Sequence, residues 1–554
     1  MAKPYPVEID RSVAMRTADG TRLMATVFRP GGEGTHPVLL MRTPYGKDVS
    51  PAIHVVDPER AAADGFMVVI QDVRGRHASE GVWDPYLDEA ADGAEAVEWA
   101  ARLPGADGRV GMYGASYQGA ALLAAASRRP PALKGIAPML CWRDPANGQT
   151  FRGGALEIGK LVRWTLMNMG DRLARRIPDK ALAERRIAEC AADLAALDAD
   201  SYRPLPLSRQ PLIARYDPES EIFRYIARAD AGALDSPRLT GEHDRHDVPA
   251  LWIGGWFDSF LGDMIAQWRI DRDDGLDSRL VIGPWTHASQ ARTIGDVDHG
   301  PAATGFGPDG LSSHDLLTRW FRHVFDGTPS PLTEVTTSFA MGANAWTTGP
   351  AFPPAEAAPL DLFLAGHGGL TPLPDADERT IAYTYDPADP APTIGGPTLM
   401  GGAFPAGPRD QQANGRRGDV LSFATEPLAD PVRAAGWVSA DLWVETDAPV
   451  TDIVVRLLDI APGGRAIGVT DGILRRHYRP ATPTAITVDL WATDYRFAAG
   501  HRIGLHITSS SFPRWQRALN TDEPLGEAMS SRPSHQRLFF GGDFPSRLCI
   551  GPRR

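Results

Sequence analysis

Four side chains in this chain could together break an acyl bond. Ser116 sits in GASYQG (114–119), between a short apolar run at 109–113 and a small-residue run at 120–126. That pattern reads as strand, sharp turn, helix, with the hydroxyl exposed at the turn: a nucleophile elbow. A serine hydroxyl barely ionises at neutral pH, so the arrangement is useful only beside a group that takes its proton. Asp258 ends GGWFD (254–258) and His287 ends GPWTH (283–287), each just past an apolar run. In these roles Ser116 attacks an acyl carbonyl, His287 takes and later returns the proton, and Asp258 fixes the imidazole tautomer. Taken singly, a histidine is more often structural, an aspartate after a strand is usually a helix cap, and a tyrosine is usually core. The three in the order Ser, Asp, His are another matter, because that is the chain order of one large hydrolase class.

The oxyanion of a tetrahedral intermediate needs preorganised donors. The backbone N–H of Tyr117, next after the serine, is one. A glycine-rich loop that would supply a second is not visible. In its place stands RTPYGK (42–47), so the phenol of Tyr45 is the expected second donor. A strict G-x-S-x-G would need glycine at 118; this chain has Gln118 there and glycine at 119.

These residues need a scaffold that brings strand ends together. Residues 15–29 carry a hairpin signal at Asp19-Gly20. Apolar runs at 38–41, 67–70, 109–113 and 133–140 alternate with an amphipathic helix expected over 88–103. The pattern resumes with runs at 250–254 and 280–283. Continuous apolar strands alternating with helices imply a parallel sheet covered on both faces, in which ligands bind beyond the carboxyl ends of the strands. Between them, 156–176 and 179–197 read as long helices with no apolar strand run. Residues 350–360 (PAFPPAEAAPL) look like a linker, and beyond it the period becomes two, as in Val438, Ala440, Leu442 and Val444. The expected class is α/β: an α/β-hydrolase core over 1–140 and 241–350, a helical cap over 141–240, and a jelly-roll β-sandwich over 351–554.

Composition bounds the partners. With 57 Lys+Arg against 69 Asp+Glu the formal charge is −12, which disfavours nucleic acid and anionic membranes. No run approaches a membrane span of about 18 apolar residues, and the N-terminus lacks an apolar leader region. Cys141, Cys190 and Cys549 are far apart and suit a reducing cytoplasm. They and the scattered histidines offer no metal spacing, so neither metal nor cofactor is expected. A homodimer is compatible with the sequence.

Several motifs resemble the CocE/NonD hydrolase family, the cocaine esterase-like branch related to Xaa-Pro dipeptidyl peptidases. They are RTPYGK (42–47), QDVRGRHASEG (71–81), GMYGASYQG (111–119), GGWFD (254–258) and GPWTH (283–287), with YDPADPAP (385–392), SADLWV (439–444) and AAGHRIGLHITSSSFPRW (498–515) in the tail. The resemblance covers nearly the whole chain and implies a hydrolase core, a helical cap and a C-terminal jelly roll. It also implies that Ser116, Asp258 and His287 form the triad, that Tyr45 supplies the second oxyanion donor, and that glycine belongs at 119. The expected activity is a serine carboxylesterase acting on a small ester or amide, with a dipeptidyl aminopeptidase or an α-amino ester acylase as alternative. Enzymes for free α-amines need carboxylates for the ammonium. The α-amino ester hydrolases carry acidic residues directly after the triad aspartate, where this chain has Ser259 and Phe260; Asp263 or Glu157 could serve instead. An apolar pocket is expected from Phe260, from Trp142, Phe151 and Trp164 in the cap, and from Leu399 and Met400 near the jelly-roll edge. Arg152 and Arg163 read better as a solvated helix face than as carboxylate anchors, and Asp72, Arg74 and Gly75 as an ion-paired loop that buttresses the elbow.

Overall fold

Ten strands form the first sheet: β1 Val7–Arg16, β2 Arg22–Pro30, β3 His36–Thr43, β4 Met67–Asp72, β5 Ala106–Ala115, β6 Leu133–Met139, β7 Ala250–Phe257, β8 Ser278–Thr286, β9 Thr336–Ala340 and β10 Ala345–Gly349. The coordinates are a computed structural model that describes residues 4–49, 55–230, 245–355 and 357–552. The spatial order is β1-β2-β4-β3-β5-β6-β7-β8-β9-β10. From β4 to β9 every neighbouring pair is parallel, while β1, β2 and β10 attach antiparallel at the two ends. The strands β3, β4 and β7 are buried along their whole length, which is why they read as continuous apolar runs rather than alternating ones. Helices Glu89–Ala100 and Tyr117–Ser127 cover one face and Ser313–Asp326 the other. The crossing of β3 and β4 and the serine after β5 give the α/β-hydrolase arrangement.

The segment after β6 leaves the sheet. Phe151–Arg152 and Ala155–Leu156 form a short hairpin, followed by helices Ile158–Met167, Met169–Arg176, Lys180–Ala195 and Glu221–Asp230. The hairpin departs from the all-helical expectation; two-residue strands are too short to leave a period. Asp179 caps its helix by accepting from Leu182 N–H. The helices enclose their own core around Leu161, Val162, Leu173, Ile213 and Ile222. The expected boundary at 240/241 lies outside the described residues.

From Leu360 to Gly551 a second, separate sheet region of eleven strands is antiparallel apart from a single parallel contact of Gly369 with Ala424. Val438, Ala440 and Leu442 from one strand and Ile486, Val488 and Leu490 from its partner point into one core. Period-two sequence thus becomes one buried face. Asp471 of this domain takes three arginines from different elements, all buried: Arg514 at 2.8 Å, Arg152 of the cap hairpin at 3.5 Å and Arg456 at 3.8 Å. Burial pushes its carboxyl up, but Arg514, Arg456 and Arg152 outweigh that and hold it below the usual range. Arg152 also lies 3.6 Å over the Trp491 ring. It is a buried joint between cap and C-terminal domain, not part of a solvated helix face. No described helix is long and apolar enough to cross a membrane.

Candidate active site

Ser116 follows β5 with φ 60° and ψ −125°, a conformation that L-residues avoid and that costs about 1–3 kcal/mol. The turn is held at both sides: Ser116 N–H donates to Met139 of β6, and Ala120 N–H donates back to the Ser116 carbonyl. A Cβ at Gly114 would come within 2.6 Å of Gln118, and one at Gly119 within 2.6 Å of Cys141. The second contact explains why glycine is needed at 119. Gln118 is instead a strut. Its amide oxygen accepts from Ala115 N–H at 3.3 Å, and its amide N–H donates to Thr43 Oγ1 at 3.2 Å. Thr43 Oγ1 also accepts from Tyr45 N–H at 3.2 Å. The side chain that a tighter elbow would exclude thus joins the elbow to the loop that carries Tyr45.

Asp258 follows β7 and His287 follows β8, so neighbouring strands bring them together. His287 Nδ1 donates to Asp258 Oδ1 at 2.8 Å, with Asp258 fully buried. That bond fixes the tautomer in which Nε2 can accept a proton. Phe260 meets the His287 ring edge-on at 5.2 Å and Trp142 at 4.4 Å, while the Lys160 ammonium lies 4.7 Å over the Phe260 ring. Burial pulls Lys160 down to about 8 against the opposing pull of Glu157.

Tyr45 reaches the same place from the loop after β3. Its hydroxyl lines the same cavity as Ser116 and accepts the Trp164 indole N–H at 3.2 Å. With that lone pair engaged by the indole, the phenolic hydrogen remains free to donate. Burial raises the Tyr45 phenol above its ordinary value, so it stays a donor over the neutral range. Tyr117 anchors the other side. Its phenol accepts from Trp83 Nε1 and Tyr86 N–H and donates to Glu89 Oε1 at 2.8 Å. Glu89 in turn pairs with buried Arg42, whose Nε donates to Gln71. Arg42 lies near the end of β3, three residues before Tyr45, so a buried ion pair ties the Tyr45 segment to the helix that begins at Tyr117.

The QDVRGR stretch lies behind these residues. Asp72 accepts from Lys47 and Ala78 N–H, Arg74 pairs with Asp92 and Asp19, and Arg76 Nε donates to the Pro44 carbonyl at 2.8 Å. At Gly75, with φ +68°, a Cβ would strike Trp83 N at 2.1 Å. The stretch holds the Tyr45 loop in place and does not face the cavity.

Ser116, His287 and Tyr45 open on one cavity of about 510 Å³. Its walls come from three parts of the chain: Trp164 and Met167 of the cap, Ile294 after β8, and Leu399 before the C-terminal strands. Of the expected pocket residues, Trp164 and Leu399 line it. Phe260 and Trp142 lie behind His287, both buried. Met400 points the other way, its thioether filling the space where Gly159 has no side chain. Phe151 borders a second cavity of about 440 Å³ between cap and C-terminal domain, away from Ser116. For Met400 and Phe151 the pocket expectation is therefore corrected. Each is apolar and buried, but what covers it is the cap core. Asp263 and Glu157 are also elsewhere. Asp263 accepts from Arg143 and Asp144 N–H at 2.5 and 3.0 Å, and Glu157 accepts from Trp515 Nε1 at 2.9 Å. Sequence reasoning missed Met167, Ile294 and the strut at Gln118; it discounted Arg163, which lines the cavity. Cap amphipathicity does not say which polar face looks inward. Among the described residues no group of His, Cys, Asp or Glu is arranged to hold a metal ion.

A strained serine, an oriented imidazole bonded to a buried carboxylate, and a tyrosine hydroxyl at one cavity can carry out acyl transfer. Residues 19–289 match the X-Pro dipeptidyl-peptidase (S15 family) model, and residues 324–549 match the X-Pro dipeptidyl-peptidase C-terminal non-catalytic domain. The chain is 34% identical to cocaine esterase from Rhodococcus sp. (strain MB1 Bresler), over 99% of this chain and 98% of that one. An aminopeptidase from a marine sediment Thaumarchaeota archaeon superposes with a TM-score of 0.76 at 24% identity, covering 99% and 96% of the two chains. A CocE/NonD family hydrolase from Staphylococcus aureus gives 0.67 at 17%, covering 98% and 93%. At such identities those two structures speak for the fold, not for a substrate. The full-length likeness to cocaine esterase carries the assignment: this chain belongs to the CocE/NonD hydrolase family and is a serine hydrolase acting on esters or amides.

Proposed function

We propose that the protein is a carboxylesterase working through an acyl-enzyme on Ser116. His287 Nε2 takes the Ser116 proton as Oγ bonds to the carbonyl carbon. The oxyanion so formed is met by the Tyr117 N–H and the Tyr45 hydroxyl. Collapse breaks the bond to the alcohol, which receives the proton from His287. Water then repeats the sequence and frees the acid and the serine. The C-terminal β domain is read as a jelly roll that walls the cleft through Leu399. The observation that carries this reading is that Ser116, Tyr45 and His287, the last bonded to buried Asp258 at 2.8 Å, line one cavity.

Esters are preferred to aminoacyl substrates for a separate reason. Among the described residues the cavity wall carries no carboxylate, and Asp263 and Glu157 are engaged elsewhere. An ammonium group would find no counter-ion. The purified protein is expected to turn over a short p-nitrophenyl ester far faster than Gly-Pro-nitroanilide; a strong preference for the dipeptide would reverse the assignment.

A further inference from the structure

The guanidinium of Arg163 stands on the wall of the Ser116 cavity, half-buried and without a carboxylate. Its neighbours on the cap behave otherwise. Arg152 pairs with Asp471, Arg172 with Asp217 and Glu221, Arg176 with Asp217, Arg186 with Glu189 and Arg215 with Asp193. Arg163 makes no ion pair or hydrogen bond with any described residue. Tyr202, which feels its charge, is no counter-ion, because burial pushes that phenol up to about 12 and keeps it neutral.

The surroundings of Arg163 sharpen this. The rest of the described wall carries no Lys, Arg, Asp or Glu: Trp164, Met167, Ile294 and Leu399 are apolar, and Thr398 and Ser289 are uncharged. The guanidinium lies against the turn at Gly401, with its Cζ 3.1 Å from where a Cβ on that residue would be. Gly401 has φ +61° and itself lines the cavity. The turn thus backs the guanidinium from behind. The next residue, Trp164, donates to the Tyr45 hydroxyl, which lines the cavity beside Ser116. Arg163 and the oxyanion donor are therefore set by the same helix, Ile158–Met167.

A partly buried guanidinium in an apolar wall favours an anion, and its fork geometry suits a carboxylate. We infer that Arg163 selects esters carrying a carboxylate, such as the half-ester of a short dicarboxylic acid. This rests on the esterase reading above and deepens it by naming the charge of the substrate. The anion could belong to the acyl half or to the alcohol half; both present the same carboxylate.

The test compares matched substrates in the full-length protein. Monomethyl glutarate against dimethyl glutarate reports a carboxylate on the acyl side, and butanoyl glycolate against ethyl butanoate reports one on the alcohol side. The quantity read is the ratio of kcat/KM for the anionic to the neutral ester. In Arg163→Met that ratio is expected to fall about tenfold or more in at least one pair, the scale of a charge-assisted bidentate contact, whereas Arg163→Lys keeps most of it. A ratio unchanged by Arg163→Met in both pairs overturns the inference. Failure of the esterase reading would register differently, as neutral-ester turnover that survives Ser116→Ala.

Discussion

In the proposed mechanism Tyr45 does with a hydroxyl what a second backbone N–H does in elbow enzymes with a glycine-rich loop. A hydroxyl can rotate away, so it needs a reason to stay. Trp164 supplies one by donating to its oxygen, and Gln118 supplies another by holding the loop backbone through Thr43. Tyr45→Phe keeps the ring and its packing against Tyr117 at 6.5 Å but removes the donor. The expected outcome is a fall of about 10²–10³ in kcat on a p-nitrophenyl ester, with an unchanged melting temperature. An unchanged kcat would remove Tyr45 from the mechanism. The raised pKa of this phenol also means that loss of activity on the alkaline side should not trace to its ionisation. At this scale the sequence was informative because each of these residues stands immediately past a strand end, where a parallel sheet collects its chemistry. Arg163 was not legible in the same way: a helix period separates polar from apolar faces, but it cannot distinguish a polar face in solvent from one lining a cleft.

At the level of elements, the loop from β6 into the cap carries Trp142 against Phe260, which in turn meets the His287 ring. Asp263, in the first turn of the helix Leu261–Asp273, accepts two backbone N–H groups of that loop. Burial pushes its carboxyl up to about 6, the two backbone bonds opposing. A carboxyl raised on folding binds more protons in the native than in the unfolded chain between about pH 4 and 6. Stability therefore declines as pH rises through that window, and the penalty, on the order of 3 kcal/mol, is fully present above pH 6. Asp263→Asn removes the ionisation while keeping an acceptor. Its melting temperature relative to wild type is expected to rise between pH 4 and 7; a constant difference would show that the buried carboxylate carries no such penalty. The elements themselves were largely readable. Apolar runs at 38–41, 67–70, 250–254 and 280–283 all fall inside strands of the first sheet. The short hairpin at Phe151–Arg152 and Ala155–Leu156 left no signal because its residues are fixed by the C-terminal domain: the Arg152 guanidinium bonds the Asp471 carbonyl, and Gly153 accepts Arg475 N–H.

In the whole molecule the cleft belongs to no single part. The sheet supplies Ser116, His287 and Tyr45, the cap supplies Arg163 and Trp164, and the segment before the C-terminal strands supplies Leu399 and Gly401. The Asp471 cluster locks two of these parts together through buried arginines, which are costly to unpair once paired. Contacts of this kind join residues more than 300 positions apart, and no local pattern in the sequence reports them. The same tertiary logic took Met400 and Phe151 out of the expected pocket and put Arg163 in. What unites the three parts is the claim that they enclose one nucleophile. Intact-protein mass spectrometry after exposure to a fluorophosphonate tests it most directly. The account predicts a single phosphonyl adduct, mapped by peptide analysis to Ser116 and absent from Ser116→Ala. Adduct formation on another residue, or ester turnover by Ser116→Ala at the wild-type rate, would contradict it.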